Sequence, residues 1–144
     1  MTRLGLALQR VQNTFNRNAD YYARKIGLTG TQMLIIEYLA SFAQNKPIYQ
    51  KDIEHEFNIR KSTATNVLRL MAEKDLITKK VDPHDTRLKA IILTTKAVNL
   101  EQKISNYFIQ SENSYAEILG AKTKKELVEN LQKLNDAISE NSVN

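Results

Sequence analysis

The sequence contains no cysteine, and only four glycines and two prolines in 144 residues. Without cysteine, disulfides, thiolate-held zinc, iron–sulfur clusters and thiol redox sensing are excluded by chemistry. The scarcity of glycine and proline favours long helices over turn-rich sheets. No run approaches the roughly 18 apolar residues of a membrane span, and the N-terminus has no continuous apolar segment. A cytoplasmic location with no membrane partner is therefore expected. Nucleophile–base pairs, phosphate-cradling glycine loops and clustered His/Cys/carboxylate sets are missing as well, so no catalytic residue, metal or cofactor is expected and the chain reads as a non-enzyme. The two histidines, His55 and His84, fall on different elements.

Positive charge is unevenly spread. The net charge is +5, and residues 58–96 hold nine Lys/Arg against four Asp/Glu, whereas residues 97–144 hold five against seven. A local basic excess points to a local anionic partner. A hydrophobic share of 42% and a charged share of 26% are ordinary for a globular chain, and the length suits one domain.

Leu4, Leu8, Val11 and Phe15 recur at helical spacing, and Gly27 stops that helix. Thr29 is an N-cap candidate for a second helix, apolar on several sides, that carries Met33, Ile36, Tyr38, Leu39 and Phe42. Lys51 to Phe57 predicts a short helix. After a turn of about three residues, Ala64, Val67, Leu68 and Met71 mark the inner face of another, which makes a helix-turn-helix. Asp75 stands where a helix end favours a left-handed residue. Leu76 to Val81 and Leu88 to Thr94 predict two strands joined by DPHDTR, and a hairpin following a helix-turn-helix is a wing. A long helix from about Lys96 should break at Gly120. A final helix should begin at Thr123, capped with Glu126 as a capping box, and carry Leu127, Leu131, Leu134 and Ile138.

Turning Ala64, Val67, Leu68 and Met71 inward leaves Lys61, Ser62, Thr63, Thr65, Asn66 and Arg69 on the opposite face. Short donors and acceptors with a basic residue further along suit base edges in a major groove, with Asn66 toward adenine and Arg69 toward guanine or a phosphate. Lys51, Arg60 and Lys61 lie near helix N-termini, where unpaired amides already favour phosphate.

The stretch IYQKDIEHEFNIRKSTATNVLRLMAEKDLITKKVDPHDTRLKAIILTTKA resembles the DNA-binding domain of the multiple antibiotic resistance regulator (MarR) family of winged-helix transcription factors. KSTATNVLRLMAEKDLI is similar to the family's recognition helix and its exit, and DPHDTR to its wing motif. The resemblance implies that Ser62, Thr63, Thr65 and Asn66 meet the major groove. It also implies that Arg87 enters the minor groove with Asp85 orienting it, and that His84 stands where the family often has Arg or Lys. It further implies a homodimer on a pseudo-palindromic operator of double-stranded DNA, usually as a repressor and often released by a small, aromatic effector.

The fold expected is mainly α with a small antiparallel β hairpin. A winged helix-turn-helix over residues 29–96 is flanked by dimerisation helices over 1–28 and 97–144. Phe15, Tyr22, Tyr38 and Phe42 are the candidate lining of a ligand pocket, the competing expectation being that they are core. A winged-helix module that binds protein instead of specific DNA is the alternative function, and the basic middle third speaks against it.

Overall fold

The N-terminal apolar stripe becomes α1 (Leu4–Lys25) in a computed structural model that describes residues 1–141. Residues 142–144, the end of the expected dimerisation segment, lie outside the described residues. Gly27, at φ 80°, closes α1. The Leu28 N–H donates to the Ala23 carbonyl at 2.9 Å and the Gly27 N–H to Arg24 at 3.2 Å, satisfying carbonyls the helix end would strand.

Thr29 then starts α2 (Gly30–Phe42). Its Oγ1 accepts the Gln32 N–H at 3.2 Å while Gln32 Oε1 accepts the Thr29 N–H at 3.0 Å. Gly30 permits the closest approach to α1, since a Cβ there would lie 3.0 Å from the Cα of Asp20. Asp20 Oδ1 accepts the Gly30 N–H at 2.9 Å. Met33, Ile35, Ile36 and Leu39 of α2 are buried, as expected of a central helix.

α3 (Gln50–Glu56) and α4 (Lys61–Glu73) form the helix-turn-helix. The turn passes through Asn58 at φ 49°, and the Ile59 N–H returns to the Glu54 carbonyl at 3.0 Å. Ala64, Leu68 and Met71 are buried beneath α4. Asp75 ends it at φ 61°, with the Leu76 N–H on the Met71 carbonyl at 2.9 Å.

β1 (Ile77–Val81) and β2 (Lys89–Leu93) pair antiparallel, in register from Ile77↔Leu93 to Val81↔Lys89. The expected hairpin is present, slightly shorter at its ends. On the other edge of β2 the Ile91 N–H donates to the Ile48 carbonyl at 2.8 Å, fixing the entry to α3. Thr94 joins three elements. Its hydroxyl donates to the Asp75 carbonyl at 2.6 Å and accepts the Ala97 N–H at 3.2 Å, capping α5 (Thr95–Leu119). These elements, through Ile104, make one compact unit.

The second unit begins at Ser105 and holds the rest of α5 and α6 (Ala121–Asn141). Gly120, at φ 86°, separates the two helices as expected. The capping box at Thr123 does not form. The Gly120 carbonyl already accepts the Lys124 N–H at 3.0 Å, so α6 starts at Ala121 and Thr123 lies inside its first turn. One residue of reversed φ is enough to start the new helix, and no loop remains for a threonine to cap. A 2.8 Å ion pair joins Lys124 to Glu112. None of the described residues of α6 is buried.

Candidate nucleic-acid interface

The outer face of α4 matches the sequence pattern. Lys61, Ser62, Thr63, Thr65, Asn66 and Arg69 are all exposed. The first turn has no acidic residue and Arg60 supplies no side-chain cap, so its amide N–H groups stay open to an anion. Lys51 and Arg60 are exposed close by in sequence.

Four hydrogen bonds on this face, two from Gln50 and two from Arg69, were not among the expected contacts. Gln50 of α3 reaches across and donates to Thr65 Oγ1 at 2.9 Å and to the Lys61 carbonyl at 3.4 Å, bracing the two helices. Arg69 lies between Glu73 Oε1 at 2.7 Å and Asn66 Oδ1 at 2.8 Å. A two-bond contact from Asn66 to adenine uses both ends of its amide, and Oδ1 has a second lone pair with which to accept from adenine while Arg69 holds the first.

The wing is built on aspartates. Asp82 Oδ1 accepts the backbone N–H groups of His84 at 2.7 Å and Asp85 at 3.0 Å. Its Oδ2 accepts the Tyr49 phenol at 3.1 Å. The His84 and Asp85 amides, helped by the phenol, hold the Asp82 carboxyl below the usual aspartate value. Asp85 Oδ1 accepts both the backbone N–H and the Nε of Arg87, at 3.0 and 3.1 Å. Its Oδ2 accepts a terminal guanidinium nitrogen of the same residue at 3.1 Å. The guanidinium in turn holds the Asp85 carboxyl low. Arg87 is thus oriented by a fork while its side chain stays 88% exposed. His84 is exposed at the same turn, as are Lys79, Lys80 and Lys89 on the strands. These three lysines make no ion pair among the described residues. They were not among the expected contacts, although the local excess of Lys/Arg contained the signal.

The four aromatic residues considered for a pocket make different contacts. The Tyr22 hydroxyl donates to the Lys103 carbonyl at 3.2 Å. Tyr38 packs against Phe42, ring centroids 5.2 Å apart, and edge-on against Phe57 at 5.9 Å. Phe15 lines a cavity of about 710 Å³ together with Leu34, Phe57 and Ile59. A second cavity of about 680 Å³ is rimmed by Lys74, Lys96 and Lys103 over Leu28, Leu76 and Leu100.

Residues 26–88 match the model of the MarR family. The crystal structure of the transcription regulator MarR from Oenococcus oeni PSU-1 shares 37% identity over 95% of this chain and 99% of that one, with a TM-score of 0.78. The S. aureus MepR–DNA complex, at 24% identity, covers 96% of this chain and 99% of that one with a TM-score of 0.82. The transcriptional regulator SlyA, at 18% identity, covers 97% of this chain and 96% of that one with a TM-score of 0.83. The last two likenesses speak for the fold alone. No curated protein matches the chain. By its shared winged helix and its identity to the Oenococcus regulator along nearly its whole length, the chain belongs to the MarR family of transcription regulators.

Proposed function

We propose that the protein is a homodimeric, sequence-specific DNA-binding repressor acting on a pseudo-palindromic operator. α4 enters the major groove, and Arg87 enters the adjacent minor groove. The observation that carries this reading is the Arg87 guanidinium, aimed by Asp85 and left exposed on a hairpin that follows an open, polar α4. A narrow A·T-rich minor groove attracts such a group, and a rotamer fixed beforehand loses less entropy on binding. MepR, whose solved complex contains DNA, supports the same use of the fold.

Residues 29–96 carry the DNA contacts in this reading, and residues 1–28 and 97–144 carry the dimer. Leu4 and Val11 on α1, and Ile118, Val128 and Ile138 on α5 and α6, are exposed apolar side chains that a second copy would cover. A small aromatic effector belongs to the same reading. The lysine-rimmed cavity suits an anionic one, because Lys74, Lys96 and Lys103 have no carboxylate partner among the described residues.

Selecting bound sequences from random DNA, with and without a panel of aromatic acids, tests the proposal. A two-fold symmetric site should emerge. Its affinity should fall with added salt at a log–log slope of about −0.9 per phosphate neutralised. Binding without sequence preference would overturn it, and a protein partner held with a flat salt response would favour the interaction module.

A further inference from the structure

Glu37 on α2 and Glu101 on α5 each carry a buried Oε2 with no hydrogen-bond partner. Glu37 bears on the Glu101 carboxyl both as a hydrogen-bond partner and as a like charge. A carboxylate is an acceptor only, so two of them in contact repel, whereas a neutral carboxyl donates to its charged neighbour. The unsatisfied oxygens therefore mark a site that is complete only when it holds a proton.

Among the described residues no cation forms an ion pair with Glu37 or Glu101. Glu37 is the single charged residue of α2. On α1, Asp20 and Arg24 bond each other at 2.8 Å and Lys25 lies over the Tyr21 ring. On α3, Asp52 and Glu56 bear on the Tyr38 phenol. Lys89 of β2 is exposed at the wing, and Lys96 and Lys103 of α5 line the cavity that they share with Lys74. Burial first, and then Glu37, push the Glu101 carboxyl up to about 7, and no other charged group contributes.

We propose that Glu101 keeps a proton that it donates to the Glu37 side chain, and that this bond acts as a pH-operated latch between α2 and α5. With the proton in place, an O–H···O⁻ bond ties the two helices. Without it, two like charges sit in a poorly hydrated space and push them apart. The unfolded chain releases this proton at the ordinary glutamate value of about 4.3. The folded chain keeps it to higher pH, so the latch stabilises the fold fully below that value and loses its effect as pH rises through about 7. Resting on the DNA-binding reading, one consequence follows for regulation. α5 starts at the Thr94 junction behind the wing, so an open latch changes how α4 and the wing are carried on that helix.

Thermal unfolding of the full chain, from about pH 5 to about pH 8.5, tests the latch in the wild type, Glu101→Gln and Glu37→Gln. Glutamine keeps the size, supplies a permanent amide donor to the remaining carboxylate and does not titrate. The midpoint of the wild type should fall by a few degrees relative to both variants as pH rises through about 7. Contributions of all other groups are common to the three proteins and cancel in the differences. Parallel curves would overturn the latch. If one variant fails to fold, the other gives the same difference. A carbon-13 titration of the wild-type carboxyl groups adds an independent measure, in which one glutamate should titrate near 7 and titration of every glutamate near 4.3 would overturn the proposal. Operator affinity measured in parallel should fall with rising pH more for the wild type than for Glu101→Gln. Failure of all three proteins to bind DNA would count against the DNA-binding reading, while the unfolding difference still decides the latch.

Discussion

The Tyr49 phenol donates a 3.1 Å hydrogen bond to Asp82 Oδ2, tying the start of α3 to the root of the wing. Asp82 in turn holds the His84 and Asp85 amides, and Asp85 holds Arg87, so one chain of bonds runs from α3 to the guanidinium. Tyr49→Phe removes a single donor and keeps the ring. The Asp82 carboxyl should then titrate closer to the ordinary aspartate value, which carbon-13 shifts would register. DNA affinity should drop roughly three- to tenfold. In the proposed reading the phenol acts on DNA through the arginine, so that drop should vanish in an Arg87→Ala background. Equal losses in both backgrounds would assign Tyr49 a contact of its own.

Arg87→Ala should weaken operator binding by about tenfold or more, with the greatest loss on sites whose flanks are A·T-rich. Sedimentation should show the same assembly state as the wild type, since the wing tip is remote in sequence from the exposed apolar residues of α1 and α6. Arg87→Lys keeps the charge but not the fork, and should recover only part of the loss. Equal affinity of wild type and Arg87→Ala on A·T-rich flanks would remove the arginine from the minor groove.

Local features of the fold were legible in the sequence because they depend on periodicity and on single residues with special backbone preferences. The inner face of α4, the left-handed Asp75, the breaks at Gly27 and Gly120 and the hairpin all follow from spacing within one or two turns. The Asp85–Arg87 bond lies within a three-residue stretch and came with the resemblance of DPHDTR to a known wing. Contacts between distant residues left no such trace. Tyr49 and Asp82 are 33 positions apart, and neither residue type signals the other. Glu37 reads locally as one acid on an apolar helix. Capping logic failed at Thr123 because it treats each helix alone, whereas the Gly120 carbonyl had already begun α6. For Tyr38 and Phe42, helical spacing put both on one helix, but it does not distinguish rings that pack on each other from rings that line a space.

Arg69 is held by Glu73 at 2.7 Å and by Asn66 at 2.8 Å on the face assigned to DNA. A carboxylate near the phosphate backbone opposes binding, and it also competes for the arginine. Glu73→Ala should therefore raise affinity and steepen the salt slope by about 0.9, the value for one added phosphate contact. Asn66→Ala should cost about 1–3 kcal/mol of base discrimination, read from selected sequences. Unchanged sequence preference in Asn66→Ala would place that side chain on phosphate or solvent.

Asp75 closes α4 at φ 61°, a conformation that favours glycine, and it sets a negative charge at a helix C-terminus, where the dipole is also negative. Both effects work against stability, and two substitutions separate them. Asp75→Asn keeps the tolerance for left-handed backbone and removes the charge, so it should gain about 0.3–1 kcal/mol. Asp75→Gly removes the charge and the steric penalty but frees the unfolded chain, so it should gain a similar amount or slightly more, up to about 1 kcal/mol. The Thr94 hydroxyl bonds the Asp75 carbonyl, a backbone group that both variants keep, so the junction with α5 is preserved. Urea unfolding of the three proteins at equal concentration would show the order, with midpoints rising from Asp to Asn to Gly at constant m. A gain confined to Asp75→Gly would assign the whole effect to backbone sterics, and a loss in both variants would mean that the aspartate side chain contributes to the end of α4.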